Sequence, residues 1–160
     1  LPAPYAYYET LGGGAGAGPG WDGIPAVQVH MTNTRNTPVE AIERGAPVRI
    51  EEYAIRRGSG GAGAYHGGDG LVRTYHFLAE TEVSILSERR THQPYGLAGG
   101  EPGQSGENRV TLPDGTQQVL PGKYHGRLPA GTRLTIATPG GGGWGREGER
   151  PADDSTAPPR

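Results

Sequence analysis

Apolar and polar positions alternate with period two in several short runs, the signature of half-buried β-strands. Between Ile24 and Met31, Val27 and Val29 flank Gln28 and predict a strand. From Pro47 to Arg57, Val48, Ile50 and Ile55 stand between or beside Arg49, Glu51 and Arg56 and predict another. Leu71 to Ala79 and Thr81 to Glu88 form two more, joined by a tight connection at Ala79-Glu80. Val110 to Leu112 and Gln117 to Leu120 flank the turn sequence Pro113-Asp114-Gly115 and predict a hairpin. Arg133 to Ala137 is the last strand. One short helix is predicted, from Pro38 to about Arg44. Thr37 can cap it, Pro38 suits its first position, Glu40 completes a capping box and Gly45 ends it.

Glycine separates these runs. Residues 12–20 and 58–70 are glycine-rich loops, and Gly140-Gly141-Gly142-Gly143-Trp144-Gly145 follows the last strand. Thirty glycines and fifteen prolines, with few Leu, Ile, Val and Phe, would by themselves suggest disorder. The near-neutral charge of −2, eight tyrosines and two tryptophans argue for a folded chain instead. The expected fold is mainly β: an antiparallel, sandwich-like lobe over residues 1–145 with one short helix and long glycine-rich loops. Its core is thin, and it would be completed against a preceding domain or another subunit. Residues 146–160 are charged, proline-rich and almost free of large apolar side chains, and are expected to be a disordered tail.

Charge narrows the partners. A pI near 6.2 leaves no nucleic-acid footprint. No apolar stretch approaches the ~18 residues of a membrane helix, and no signal peptide precedes the first run. Position 1 is Leu rather than Met, which suggests a fragment or a processed product. The absence of cysteine rules out disulfides and thiolate zinc sites and fits a cytoplasmic protein.

The densest chemistry lies in His30-Met31-Thr32-Asn33-Thr34-Arg35-Asn36-Thr37, between the first predicted strand and the helix. Arg35 offers a bidentate fork, Asn33 and Asn36 both donate and accept, and the Thr32 and Thr34 hydroxyls and the helix start favour an anion. A carboxylate, phosphate or amide would suit His30, Thr32, Asn33, Thr34, Arg35 and Asn36. Alternatively, these groups only satisfy local backbone. Gly12 to Gly18 lacks the Lys and Ser/Thr of a phosphate-binding Walker loop, and a structural turn suits it better. Ser59 lacks a nucleophile elbow. His30, His66, His76, His92 and His125 show no metal-ligand spacing, so no metal site is expected within the chain. Glu88-Arg89-Arg90 suits a structural ion pair better than a ligand. No catalytic residue and no reaction follow from these residues alone.

An ordered set of motifs adds more. Tyr7-Tyr8-Glu9-Thr10-Leu11-Gly12-Gly13-Gly14 is followed by His30 to Glu40, then by Arg56-Arg57-Gly58-Ser59-Gly60-Gly61-Ala62-Gly63 and Gly67-Gly68-Asp69-Gly70. Ser87-Glu88-Arg89-Arg90, Pro94-Tyr95-Gly96-Leu97-Ala98-Gly99-Gly100 and Thr138 to Gly145 complete it. Over residues 5–145 this set resembles the C-terminal part of the hydantoinase B/oxoprolinase family. Asn36-Thr37-Pro38 is closer to its N-methylhydantoinase B branch than to the acetone carboxylase or eukaryotic oxoprolinase branches, which carry Asp before the Pro. The resemblance implies the B component of an ATP-dependent amidohydrolase that opens hydantoin or 5-oxoproline rings. Related ketone carboxylases and a purely structural subunit-assembly module are the alternatives. It implies ATP and Mg on a partner A component, and places any divalent metal of the B component in the part that would precede Leu1. The expected partners are the rest of the B subunit, the A-type subunit and a small cyclic amide, with no nucleic acid and no membrane. The chain would be the last quarter to third of a subunit, without a complete active site or a cofactor of its own.

Overall fold

The patterned runs fold into one helix and seven strands in a computed structural model that describes residues 5–29 and 32–149. They are α1 (Val39–Gly45), β1 (Val48–Arg56), β2 (Gly70–Phe77), β3 (Thr81–Leu86), β4 (Glu107–Thr111), β5 (Gln117–Leu120), β6 (Lys123–Leu128) and β7 (Arg133–Ala137). The five-stranded sheet has the order β1-β2-β7-β4-β5, and β3 pairs with β6 in a second, two-stranded sheet. All pairings are antiparallel. The mainly β expectation with one short helix therefore holds. The strands expected at 71–79 and 81–88 both form, but the short connection between them sends them into different sheets.

Every element supplies the core. Ile42 from α1, Val48, Tyr75, Phe77, Ile85, Val110, Leu120, Leu128 and Leu134 are buried together. Each such side chain is worth ~1.5–3 kcal/mol, so a core this small leaves the lobe marginal by itself. Tyr8, Leu86, Val119 and Tyr95 remain exposed. The hairpin at 111–117 closes as its sequence implies. Gly115 sits at φ 87°, and Asp114 Oδ1 accepts the Thr116 N–H at 2.8 Å.

Two local expectations fail. Within Ile24–Met31, the described residues 24–29 form no strand. Ala26 turns the chain at φ 48° after Pro25, and only Val27 bridges, to Gly13. The capping box is absent: Pro38 is the N-cap residue and no side chain caps the helix, because the Thr37 hydroxyl bonds Tyr7 instead. Gly45 is the last helical residue, and Ala46 beyond it is extended. The tail expected from Arg146 begins with a described turn, Glu149 N–H to Arg146 O at 3.1 Å, and residues 150–160 lie outside the described residues.

The glycine stretches are the second structural layer. Residues 12–18, 59–70, 94–106 and 138–145 run beside one another and are joined by lateral backbone hydrogen bonds. Examples are Gly141 N–H to Gly68 O, Gly61 N–H to Gly141 O and Glu101 N–H to Ala62 O, at 2.7–2.8 Å. Glycine is needed here for close approach, because a Cβ on Gly61 or Gly141 would overlap a neighbouring backbone. Ser59 belongs to this layer: it is fully buried, donates to Arg56 O at 2.7 Å and accepts the Gly70 N–H at 2.8 Å.

A charged ladder crosses the outer face of the sheet. Glu51 accepts from Arg133 Nε at 2.7 Å and Nη2 at 2.9 Å, and lies 3.1 Å from His76 Nδ1. The Arg133 hydrogen bond holds the Glu51 carboxyl below its ordinary value of 4.5. A depressed carboxyl stabilises the fold above its unfolded pKa, and that contribution is lost as pH falls through the folded one. Thermal melts should therefore show the wild type losing its advantage over Glu51→Gln below about pH 4.5. A constant difference from pH 7 to pH 3 would show that the ladder contributes nothing.

Candidate functional site

Strand β2 carries a cation where its pattern calls for an apolar side chain. Leu71, Arg73, Tyr75 and Phe77 share one face, and all four are buried. Arg73 is 0% exposed. Its register partner on β1 is Tyr53, and its guanidinium lies 4.7 Å from the Tyr53 ring centroid and 5.5 Å from that of Tyr75. Such cation–π contacts offset part of the cost of burying charge.

The counter-ion comes from the chain's extended N-terminal run. Period two puts Tyr7 and Glu9 on its inner side and leaves Tyr8 87% exposed. Glu9 Oε2 lies 3.0 Å from Arg73 Nη1 and accepts the Tyr7 hydroxyl at 2.8 Å. The ion pair is close but poorly aligned. Among the described residues, Arg73 Nε, Nη1 and Nη2 and Glu9 Oε1 make no hydrogen bond. Burial raises the Glu9 carboxyl above its ordinary value, against the opposing pull of Tyr7 and Arg73. Burial likewise raises Tyr7.

The polar segment singled out in the sequence reaches this cluster at one end. Asn36 Nδ2 donates to the Tyr53 hydroxyl, and Thr37 bonds Tyr7. Thr32 turns back on itself, its hydroxyl donating to Val29 O at 3.1 Å. Asn33, Thr34 and Arg35 are exposed, and His30 lies outside the described residues. Residues 32–36 line neither of the two cavities beside this cluster. Sequence reasoning missed Glu9 and Arg73. The signal was available: one charge on the apolar face of an alternating strand.

Two cavities meet beside the cluster. One, of about 440 Å³, is lined by Tyr7, Glu9 and Ser84 to Arg90. The other, of about 400 Å³, runs along the glycine layer past Arg89 and Tyr95. Gly13, Arg89 and Pro139 border both. The expected ion pair at 88–90 forms only at the surface, from Glu88 to Lys123 at 3.3 Å. Arg90 instead donates to Asn108 Oδ1 from Nε and Nη2, at 3.0 and 2.9 Å. The described residues do not fit ATP with Mg. The glycine-lined cavity contains neither a lysine nor a carboxylate, and no cluster of three metal-ligating side chains occurs among the described residues. No helix is long and apolar enough to cross a membrane among them.

A family model described as hydantoinase B/oxoprolinase matches residues 2–147. The 5-oxoprolinase 1 of Arabidopsis thaliana is 50% identical over 141 residues, which are 88% of this chain and 11% of that protein. The crystal structure of an ATP-dependent caprolactamase from Pseudomonas jessenii superposes with a TM-score of 0.69 at 23% identity, over 91% of this chain and 26% of that one. A nucleotide-free acetone carboxylase does so with a TM-score of 0.61 at 20% identity, over 90% and 24%. The two structures show a shared fold. The chain thus spans about a ninth of that curated relative and about a quarter of the chains it superposes on. Half identity to a 5-oxoprolinase is also closeness to a branch from which Asn36-Thr37-Pro38 was expected to separate it.

Proposed function

The chain belongs to the hydantoinase B/oxoprolinase family, and from that premise we propose that it is a β-rich lobe of the B component of an ATP-dependent enzyme that opens cyclic amides such as hydantoins or 5-oxoproline. The observation that carries this reading is the family match over residues 2–147, together with half identity to a 5-oxoprolinase. ATP and Mg are assigned to a partner A-type subunit, since the described residues here do not suit them. The rest of the B subunit is the other partner.

Opening a cyclic amide is slow because resonance protects the C–N bond. ATP supplies the activation when the partner holds it. This lobe's own part is to bind and orient a polar heterocycle and to manage charge near it. The exposed Arg35, with Thr32, Asn33, Thr34 and Asn36 and with His30 beside them in sequence, offers a fork and amides that match ring carbonyl and N–H groups. The Glu9 carboxyl stands at the rim of the neighbouring cavity, where the leaving ring nitrogen needs a proton.

The test is an ATP-dependent ring-opening assay on the intact two-component enzyme with hydantoin, N-methylhydantoin and 5-oxoproline. At least one should be opened only when ATP is present. Arg35→Ala should lower turnover by at least ~10²-fold if it binds charge that develops in the reaction. Wild-type turnover in that variant removes Arg35 from the site. Failure on all three rings would favour a ketone carboxylase, for which the superposition on acetone carboxylase is the supporting observation. The chain alone is expected to turn over none of these substrates and to bind ATP weakly at most.

A further inference from the structure

In an extended chain, neighbouring side chains point to opposite faces. A cavity bordered by an unbroken series of residues therefore runs along the chain's edge, where the backbone N–H and C=O groups project. The cavity of about 440 Å³ is bordered in this way twice. Tyr7 to Leu11 of the N-terminal run line it without a gap, and so do Ser84, Ile85, Leu86 and Ser87 at the end of β3. On β3, Ile85 is buried while Ser84 and Leu86 are exposed, so both faces of the strand are represented. Strand β6, the one strand paired with β3, contributes nothing to the lining. The cavity thus follows the edge of β3 that has no partner.

The backbone of the N-terminal run lacks partners too. From Tyr5 to Leu11 no backbone group bonds another backbone group among the described residues. Thr10 O accepts the Gln28 side-chain amide instead, at 2.8 Å. Side chains tie the run to the start of β3, Tyr5 Oη to Thr81 Oγ1 at 2.7 Å, but no backbone hydrogen bond joins the two among the described residues. The run and β3 flank a slot rather than form a ladder. Strands β3 and β6 make a sheet of two, which is marginal in water without a third strand.

The lining shows what the slot accepts. Leu11, Ile85, Ile136 and Pro139 give it apolar walls. Tyr8 and Leu86, each 87% exposed, are the most exposed large apolar side chains among the described residues, and both border it. Apolar side chains left in water beside unpaired backbone mark a place for strand addition. Beyond Ser87, Arg89 and Arg90 also line the cavity, and neither pairs with a carboxylate among the described residues.

We propose that one extended segment of the longer B subunit, from outside residues 1–160, adds as a strand between the N-terminal run and β3. Its source rests on reading this chain as a lobe of such a subunit. The chains on which this one superposes are about four times its length, so they contain ample chain to supply it. Five extended residues span about 16 Å, so a segment of about that length suits the slot. Its side chains alternate, with apolar ones toward Leu11, Ile85 and Ile136 and an acidic one near Arg89 and Arg90. A second copy of the lobe fits poorly, because its strands arrive with neighbours attached and the slot is walled by two chains. The seated strand and a ring beside Glu9 would compete for this cavity.

The experiment is amide hydrogen exchange on the intact B subunit, with photo-cross-linking. A photoreactive phenylalanine analogue is placed at position 86 or at position 8, both exposed in the lobe, and at position 119 on β5 as a control. Backbone amides within Tyr7 to Leu11 and Ser84 to Leu86 should exchange at least ~10²-fold more slowly than in an unfolded chain. Positions 86 and 8 should both capture the same segment of the same chain, outside residues 1–160, and position 119 should not. Capture of a second copy, of the A-type subunit or of residues within 1–160 overturns the proposal. So does fast exchange on both sides of the slot. If an analogue prevents folding, exchange in the wild type decides, since it needs no substitution. Turnover is not read. A filled slot in an enzyme that opens no ring would keep the strand and reject the function; ring opening with an empty slot would do the reverse.

Discussion

Gly141→Ala is expected to prevent the lobe from reaching its native fold. An added Cβ would overlap the Ala15 carbonyl and come 2.7 Å from Gly16 N. Nothing soft lies in its way, since every atom it meets is backbone. The Gly141 N–H is bound to Gly68 O, and Gly141 O accepts from Gly61, each at 2.8 Å. Moving the strand by the width of a methyl group would break both bonds and pull apart four chain segments. We expect a loss above ~4 kcal/mol, more than a core this small can absorb. A thermal melt of the intact subunit, or its yield in the soluble fraction, would show it. Gly45→Ala is the matched control: a Cβ there meets nothing within 4 Å, and φ is not positive. It should be neutral or stabilising by ~0.5–1 kcal/mol. Equal stability of the two variants would mean that the glycine layer is looser than its geometry indicates.

The second large effect lies at Glu9. Glu9→Ala leaves the fully buried Arg73 without the one carboxylate it pairs with among the described residues, a change that costs ~3–5 kcal/mol when a buried pair loses one member. The two tyrosine rings cannot replace the lost charge. Removing both charges should be far milder. Glu9→Leu combined with Arg73→Met is expected to recover most of the stability, because the face it restores is apolar on both sides, at Leu71 and Tyr75. Urea denaturation of Glu9→Leu, Arg73→Met and the double variant measures this as a coupling energy. Additive losses would show that the 3.0 Å pair is incidental. Recovered stability with lost ring-opening activity would indicate that the pair serves chemistry rather than folding.

How legible this was in the sequence depended on how local each determinant is. Arg133 to Ala137 and the hairpin around Asp114-Gly115 were readable because alternation and turn chemistry lie within a few residues. Strand β6 was not anticipated: Lys123-Tyr124-His125-Gly126-Arg127-Leu128 contains a glycine and little apolar periodicity, and what makes it a strand is β3, far back in the chain. Val27 and Val29 suggested a strand that Pro25 and Ala26 prevent. Thr37 looked like a cap because the competing Tyr7 hydroxyl comes from thirty residues upstream. For the candidate site, the segment from Thr32 to Asn36 advertised its polar groups openly. Arg73 did not, since its role depends on Glu9, Tyr53 and Tyr75 arriving from other elements.

The glycine layer also sets the order in which the lobe can form. Gly14 and Ala17 are fixed by Pro139 and Gly142, which are roughly 125 positions later in the chain. On a ribosome making ~5–20 residues per second, the early stretch therefore waits many seconds for its partners. During that wait the Gly14 and Ala17 donors lack their native acceptors, while Ala15 and Gly18 can already bond Ile24 and Trp21 nearby. Closure of this lobe is late, and its refolding should be governed by that long-range step rather than by the quick local hairpin at Gly115.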